Sequence, residues 1–311
     1  VKDIFHVDGL PTKAGSDLPP SGLAGEQATV VDDLRAAGAL VMGKTVTTAF
    51  AHAAPGPTRN PHDTDHTPGG SSSGSAAAVA AGVCPLALGT QTIGSVIRPA
   101  AFCGVVGYKP SYGRIPTAGV LPYSDAVDHV GLFTRDVPGV ALGASIVCDG
   151  WRSVDAGQMA VPAVGVPDDA YLAQASKSGL TRFERVVDAL TTAGYEVERV
   201  TAMDDIAEIN ERHETLISGE AADVHHDRYE AHRDLFREET AALVERGRDV
   251  TAEELAVGRR SRGALRDRLH DRMAAAGVDV WVAPGACDTA PEGIDSTGDP
   301  VMNLPWTHAG L

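Results

Sequence analysis

The sequence predicts a single α/β domain in which helices cover both faces of a mixed central β-sheet. Three observations lead to this prediction. Short apolar runs alternate along the chain with longer segments of helical periodicity. The composition is that of a globular protein, with 43% hydrophobic and 22% charged residues. The 34 glycines and the low aromatic content of 5% indicate that helices pack closely on strands through small side chains.

The elements follow one another in order between loops that Gly and Pro predict over 1–22 and 51–70. Strands are predicted over 39–42, 84–88, 102–107, 161–166, 195–200 and 278–283. Helices are predicted over 24–37, 74–82, 137–149, 177–193 and, as one helix or two, 204–247. Thr251 and Glu254 form a capping-box pattern, which predicts that a further helix begins there and continues to about residue 275.

The charge and the cysteines exclude several classes of protein. A net charge of −16 offers no basic surplus for nucleic-acid phosphates, so we expect no nucleic-acid partner. No apolar stretch reaches the roughly 18 residues that a membrane span needs, so we expect no membrane partner. The four cysteines are scattered without the spacing of a metal site, which is typical of reduced thiols in a cytoplasmic protein.

The densest motif is a Gly- and Ser-rich segment over 68–75 that runs directly into an Ala-rich helix. A flexible linker, a phosphate-binding turn and a nucleophile elbow are three alternatives for this segment. Linkers do not usually lead into a strong helix within a domain. No GK[ST] pattern follows the segment, and no apolar run precedes it as the strand of an elbow would. All three alternatives are therefore disfavoured.

Two further segments carry candidate residues. Ser95 follows a predicted strand in a loop rich in Gly and Thr, whose backbone N–H groups can converge on one point. Donors arranged in this way stabilise an oxyanion, which is commonly the largest catalytic contribution. Lys2 lies near the start of the chain, where a lysine considered alone is expected to be a solvated surface charge.

Together, the three segments resemble the amidase-signature family of serine hydrolases. The features that carry the resemblance are the Gly-Ser segment, the step of 24 residues from Ser71 to Ser95, and the sequence RPAAFCG over 98–104. The likeness becomes weaker after residue 136 and returns over 296–307. It implies that residues 1–311 form an amidase-signature catalytic domain that hydrolyses a carbon–nitrogen amide bond. Because the chain begins within one motif and ends within another, we expect the natural protein to extend past both ends.

The resemblance assigns a Ser–Ser–Lys triad to three positions of this chain. The nucleophile of the family falls on Ser95, its bridging serine, which follows a cis peptide, falls on Ser71, and its lysine falls on Lys2. A lysine can act as the base for a serine only if burial lowers its pKa enough to leave it neutral. The backbone N–H groups expected to hold the oxyanion are those of Thr92, Ile93, Gly94 and Ser95. The residues expected to contact the substrate are Gly70, Ser72 and Tyr123.

Two positions near the nucleophile depart from the family pattern. Gln91 stands where many members have an acidic residue, so it cannot form an ion pair with Arg98, and Ile93 stands where many have glycine. The resemblance implies a small-molecule amide substrate, no metal and no cofactor, and it makes a homodimer plausible. The His and Asp residues over 62–66 are expected to be structural or solvated.

Three functions remain open at this stage. The first is an amidase that acts alone on a small or medium-sized amide. The second is the glutaminase (A) subunit of a glutamyl-tRNA amidotransferase, which would supply ammonia to a partner protein. The third is a catalytically inactive fragment. Residues 44–60 and the segment over 296–300 resemble general amidases more than glutaminase subunits, which favours the first function.

Overall fold

The computed structural model describes residues 1–153, 160–168 and 170–311. Its helices are α1 (Thr29–Ala36), α2 (Ser73–Ala80), α3 (Ile97–Cys103), α4 (Val137–Val147), α5 (Lys177–Thr192), α6 (Ile206–His232), α7 (Glu238–Gly247), α8 (Ala252–Ala276) and α9 (Leu304–Ala309). Its strands are β1 (Leu86–Gln91), β2 (Val106–Tyr108), β3 (His129–Thr134), β4 (Val164–Pro167), β5 (Val197–Val200) and β6 (Val280–Trp281). The predicted α/β class is confirmed.

The strands pair in both directions. An antiparallel sheet has the order β1-β3-β2, with Gly89 opposite Gly131 and Gln91 opposite His129. A parallel sheet has the order β5-β4-β6. In the described ranges these two sets share no ladder, so the antiparallel and parallel parts of the predicted mixed sheet are separate. Apolar runs reveal which segments are extended, but they do not reveal which strands become neighbours.

The start of α2 packs against the end of β1 so closely that only glycine fits at residue 89. A Cβ atom on Gly89 would lie 2.6 Å from the Phe133 ring and 2.8 Å from the Ser72 hydroxyl. The Ser72 hydroxyl in turn bonds the backbone of Thr90. This packing places the Gly-Ser segment beside the strand that leads into the loop of Ser95.

Three long helices, α6, α7 and α8, pack on one another in the second half of the chain. A Cβ atom on Gly247, at the end of α7, would lie 1.9 Å from the Ser218 carbonyl oxygen of α6, so these helices approach through a bare backbone. The capping box at the start of α8 is confirmed: Thr251 Oγ1 accepts the Glu254 N–H, and the Glu254 carboxylate accepts the Thr251 N–H. None of the helices in the described ranges combines the length and apolar character needed to cross a bilayer.

The strand predicted over 39–42 is wrong. Leu40 and Met42 are 89% and 77% exposed, and the segment has no strand partner in the described chain. The Ala39 N–H bonds the Leu34 carbonyl and so completes the end of α1. A backbone donor used in a helix cap cannot enter a β-ladder, and the short apolar run did not reveal that use.

The strand predicted over 102–107 is correct only in its second half. Residues up to Cys103 belong to α3, and Gly104 ends that helix in the left-handed conformation with φ 61°. The Val105 N–H returns to the Ala100 carbonyl, so β2 begins only at Val106. Glycine adopts this conformation without steric cost, and its position after an apolar stretch is typical of a helix end.

Candidate active site

Lys2 is held inside the protein by its own backbone. Its N–H donates to the Leu88 carbonyl of β1 at 3.1 Å, and it forms a parallel bridge with Thr45. The side chain is completely buried, and Nζ lies 2.7 Å from both Ser71 Oγ and Thr90 Oγ1. Burial lowers the pKa of Lys2 to about 7, against a smaller opposing effect from the charge of Asp128. The amine is therefore substantially neutral near neutral pH.

Ser71 is fixed on both sides by hydrogen bonds to its backbone. The Gly70–Ser71 peptide is cis. The Gly70 carbonyl accepts Arg98 Nη2 at 2.7 Å, and the Ser71 carbonyl accepts the Thr48 N–H at 3.2 Å. A Cβ atom on Gly70 would lie 2.6 Å from Thr297, so this face of the turn admits only glycine. The Ser71 hydroxyl is thus presented to the Lys2 amine from a rigid support.

The hydroxyls of Ser72 and Ser75 form hydrogen bonds with backbone groups of β1. Ser72 Oγ is fully buried on the Thr90 backbone, and Ser75 Oγ donates to the Leu88 carbonyl at 2.8 Å. These bonds and the burial of residues 71–75 are incompatible with a flexible linker. Residues 70–74 have the G-x-S-x-G pattern of a nucleophile elbow with Ser72 as its central serine. Because the Ser72 hydroxyl is bonded to the Thr90 backbone, it is not presented as an elbow nucleophile. Its contact with substrate stays a prediction.

Ser95 lies in the loop that follows β1 and is only partly buried. Over the chain as described, its hydroxyl has no hydrogen bond, and it is not bonded to Ser71 in this structure. The structure therefore joins Lys2 to Ser71 directly and leaves Ser95 as a separate hydroxyl. Catalytic hydrogen bonds are often long or absent before substrate binds.

The loop of Ser95 presents a row of unused backbone donors. The N–H groups of Thr92, Ile93, Gly94 and Ser95 donate to no acceptor in the described residues. Gln91 supports the loop from its far end, because its Oε1 accepts the N–H groups of Val96 and Ile97 at 2.8 and 3.0 Å. Its Nε2 donates to Thr307 Oγ1 at 2.9 Å. Four consecutive free donors beside a partly exposed serine can hold a developing negative charge.

Asp128 enters the site without having been predicted from the sequence. It is enclosed by protein, with part of its surface facing a cavity of about 30 Å³ that Thr90, Thr92 and Tyr123 also line. Burial raises the pKa of Asp128 to about 6, against the hydrogen bonds that it accepts from Thr92, Tyr123 and Ser124. No motif set this residue apart from the other acidic residues of the chain, and only its position just before β3 hinted at a fixed environment.

Tyr123 is buried, and its hydroxyl lies 2.8 Å from His52 Nδ1. Burial, and next to it the charge of Arg246, lowers the pKa of His52 to about 4, so this imidazole is neutral at physiological pH. Burial also raises the pKa of Tyr123 well above its ordinary value. A neutral Tyr–His pair next to the cavity can bond a polar group, and substrate contact by Tyr123 stays a prediction.

A comparison with models of protein families shows to which family this chain belongs. A model of the amidase family matches residues 1–306. The chain belongs to the amidase family. A crystal structure of an amidase superposes with a TM-score of 0.89 at 32% identity, over 99% of this chain and 74% of that one.

Curated members of the amidase family also resemble the chain. The A-type subunit of the glutamyl-tRNA(Gln) amidotransferase of Koribacter versatilis is 43% identical over 170 residues, which are 52% of this chain and 35% of that protein. The corresponding protein of Nitratiruptor is 35% identical over 261 residues, which are 79% of this chain and 59% of that protein. The matched parts thus span only about a third to three fifths of these relatives.

The remaining polar candidates have structural partners within this amidase-family chain. His62 bonds the Cys103 carbonyl through Nε2 at 2.8 Å, and His66 lies 3.0 Å from the Asp63 carboxylate. Lys44, the second lysine near the site, forms an ion pair with Asp3 at 2.8 Å. Among the described residues, no three His, Cys, Asp or Glu side chains are grouped as metal ligands would be.

Proposed function

We propose that the chain hydrolyses the carbon–nitrogen bond of a small or medium-sized amide through an acyl-enzyme on Ser95. In this proposal residues 1–311 act as one catalytic domain, Ser71 relays protons and Lys2 is the general base. The observation that carries the proposal is the 2.7 Å contact between Ser71 Oγ and a completely buried amine. Burial of an amine without a carboxylate partner is costly, and activation of a serine is a known use of such a lysine.

The reaction begins with proton transfer away from Ser95. The substrate turns the free Ser95 hydroxyl toward Ser71, which passes its own proton to neutral Lys2 as it takes the proton of Ser95. Ser95 Oγ then bonds to the amide carbon, and the carbonyl electron pair moves onto oxygen. The free N–H groups of residues 92–95 donate to that oxygen.

Collapse of the tetrahedral intermediate releases the amine. Protonated Lys2 returns its proton through Ser71 to the leaving nitrogen, and the carbon–nitrogen bond breaks. Water then attacks the ester on Ser95 while Ser71 and Lys2 remove its proton. They return this proton to Ser95 Oγ as the ester bond breaks, which frees the acid and restores the Ser95 hydroxyl. Every proton in this cycle is carried by a group of the chain itself, and the scheme includes no cofactor.

Covalent labelling with a fluorophosphonate tests this proposal without knowledge of the natural substrate. The protein at its natural length should be labelled, Ser95→Ala should not be labelled, and Lys2→Ala should be labelled far more slowly because the base is lost. Ser73→Ala is the matched control and should be labelled like the wild type, because the Ser73 hydroxyl makes only a 3.4 Å contact with a backbone carbonyl. Labelling that survives Ser95→Ala would overturn the assignment of the nucleophile, and an unlabelled wild type would overturn the proposed hydrolase function.

A second candidate is the glutaminase role within a glutamyl-tRNA amidotransferase. It is favoured by the curated relatives named above, and the A-type subunit of the Thermus thermophilus enzyme is 49% identical over 148 residues. This role would use the same Ser95 chemistry on glutamine and would require partner subunits. Given the net charge of −16, the partners rather than this chain would contact tRNA.

Ammonia release separates the two candidates. Purified protein is assayed with benzamide, hexanamide and glutamine, each alone and after addition of the other subunits of an amidotransferase. Hydrolysis of the simple amides by the isolated protein supports an amidase acting alone. Ammonia release from glutamine only, and only with added subunits, supports the glutaminase role. A homodimer and a cytoplasmic location stay predictions.

A further inference from the structure

We infer that Asp128 is a positioning residue, which sets the direction of the oxyanion loop by holding the Thr92 hydroxyl. The inference rests on the proposed function, in which the N–H groups of residues 92–95 receive the oxyanion. Thr92 is the first residue of that loop, and its hydroxyl donates to Asp128 Oδ1 at 2.5 Å. Asp128 itself touches no reacting atom in the scheme.

The carboxylate of Asp128 is anchored away from the loop by two backbone donors. The N–H groups of Tyr123 and Ser124 donate to Oδ2 at 2.7 and 3.0 Å. The Asp128 N–H also returns to the Ser124 carbonyl at 2.8 Å, which closes the turn over residues 124–128. One carboxylate oxygen is therefore fixed to this turn, and the other is left for Thr92. Hydrogen bonds to an ionised acceptor are short and strong, so the link resists bending.

The turn over 124–128 is itself fixed to the helices. Glu220 of α6 accepts the Ser124 hydroxyl at 2.6 Å and the Ala126 N–H at 2.9 Å through Oε2. Its Oε1 accepts Nε and Nη2 of Arg259, on α8, at 2.9 and 2.7 Å. A continuous set of charge-assisted bonds thus runs from two long helices through the turn to Thr92.

The loop is consequently held at both ends by side chains. After Ser95, Gln91 accepts the N–H groups of Val96 and Ile97. Before it, Asp128 accepts the Thr92 hydroxyl. Without the second tether, the Thr92 peptide could rotate while the rest of the fold stayed intact. Donors to an oxyanion must lie about 2.7–3.1 Å from the charge, so a small rotation is enough to lose their effect.

Saturation kinetics of fluorophosphonate labelling test the inference on the protein at its natural length. Thr92→Val keeps the shape and the N–H of residue 92 but removes the tether, and it should lower the maximal labelling rate at least about tenfold. The apparent binding constant of the probe should stay within about twofold, because ground-state contacts are unchanged. Thr92→Ser restores a hydroxyl and should recover most of the rate. Thr240→Val is the matched control: Thr240 is equally buried and its hydroxyl has no partner in the described chain, so its labelling should equal that of the wild type.

A double-mutant cycle shows whether Asp128 acts through Thr92. If it does, Asp128→Ala combined with Thr92→Val should be no slower than Asp128→Ala alone, because the second change removes nothing further. If Asp128→Ala does not fold, as judged by thermal unfolding, the three threonine variants decide the matter. A maximal rate for Thr92→Val within about twofold of a labelled wild type overturns the inference and leaves the proposed function standing. A wild type that is not labelled overturns the proposed function itself.

Discussion

In the proposed mechanism, protonation of Lys2 should switch the Ser95 nucleophile off below the pKa of this buried amine. Burial lowers the pKa of this amine from 10.5 to about 7. At about 1.4 kcal/mol for each tenfold change in affinity for the proton, the cost of charging the buried amine is roughly 5 kcal/mol. Two pH units below the pKa only about one amine in a hundred is neutral, so the rate of the reaction should fall about tenfold per unit below pH 7.

The rate of fluorophosphonate labelling, measured from pH 5 to 9, is the assay. His52 and His129, whose pKa values burial lowers to about 4 and about 3, stay neutral over this range and cannot produce the expected limb. Asp128, whose pKa burial raises to about 6, does titrate within the range. Its charge raises the pKa of Lys2, so Asp128→Asn should move the acid limb to lower pH.

The lowered pKa of Lys2 should also make the free energy of unfolding depend on pH in a defined direction. The unfolded chain binds the lysine proton with ordinary affinity, so between pH 7 and 10.5 it carries more protons at this position than the folded chain does. The free energy of unfolding of the wild type, measured relative to Lys2→Met, should therefore rise with pH across that window. Because Lys2→Met keeps all other titrating groups, their contributions to the pH dependence cancel when the two free energies of unfolding are subtracted. A labelling rate that is flat from pH 5 to 8, or a stability difference independent of pH, would refute the claim of a buried neutral amine.

Two further predictions concern the helices that support the site. Gly247→Ala should destabilise the protein by about 2 kcal/mol or more, because the new methyl group would overlap the Ser218 carbonyl. Gly263→Ala, within α8, would place its methyl group 3.9 Å from the flexible Arg266 side chain and should instead stabilise the protein by about 0.5–1 kcal/mol. Equal melting temperatures for the two variants would contradict this packing. Thr251→Ala should cost about 1 kcal/mol through loss of the capping box, whereas Thr251→Ser should cost little. Denaturant unfolding that shows Ala and Ser to be equivalent would rule out the cap as a source of stability.

Local patterns predicted the elements whose causes are local. The capping box of Thr251 and Glu254 needs only residues three apart, and its helix begins where the sequence placed it. The run over 39–42 failed because a strand also needs a partner, and the described chain supplies none; its first N–H instead completes the end of α1 at the Leu34 carbonyl. Sequence periodicity shows what a segment would do in isolation, and distant partners decide the rest.

The candidate site divides in the same way. The loop of Ser95 could be proposed from its Gly- and Thr-rich sequence, whereas Ser71 and Lys2 could be assigned only through a family resemblance, since a lone lysine has no mark of burial in its own sequence. Asp128 could not be found, because its inferred role depends on hydrogen bonds from another loop and from the turn around Ser124. A buried carboxylate is recognised by what surrounds it, and those surroundings are assembled only by the fold.

The backbone pairing of residues 1–3 determines when the Lys2 amine reaches the two serines. Lys2 docks on Leu88, Asp3 docks on Thr45, and the Val1 carbonyl receives the Thr45 N–H, so the amine arrives only after long stretches of chain have been closed into loops. In the proposed mechanism, a molecule without these pairings could have both serines in place and still lack the base beside them. Hydrolysis of amides would then require that these long-range pairings have formed.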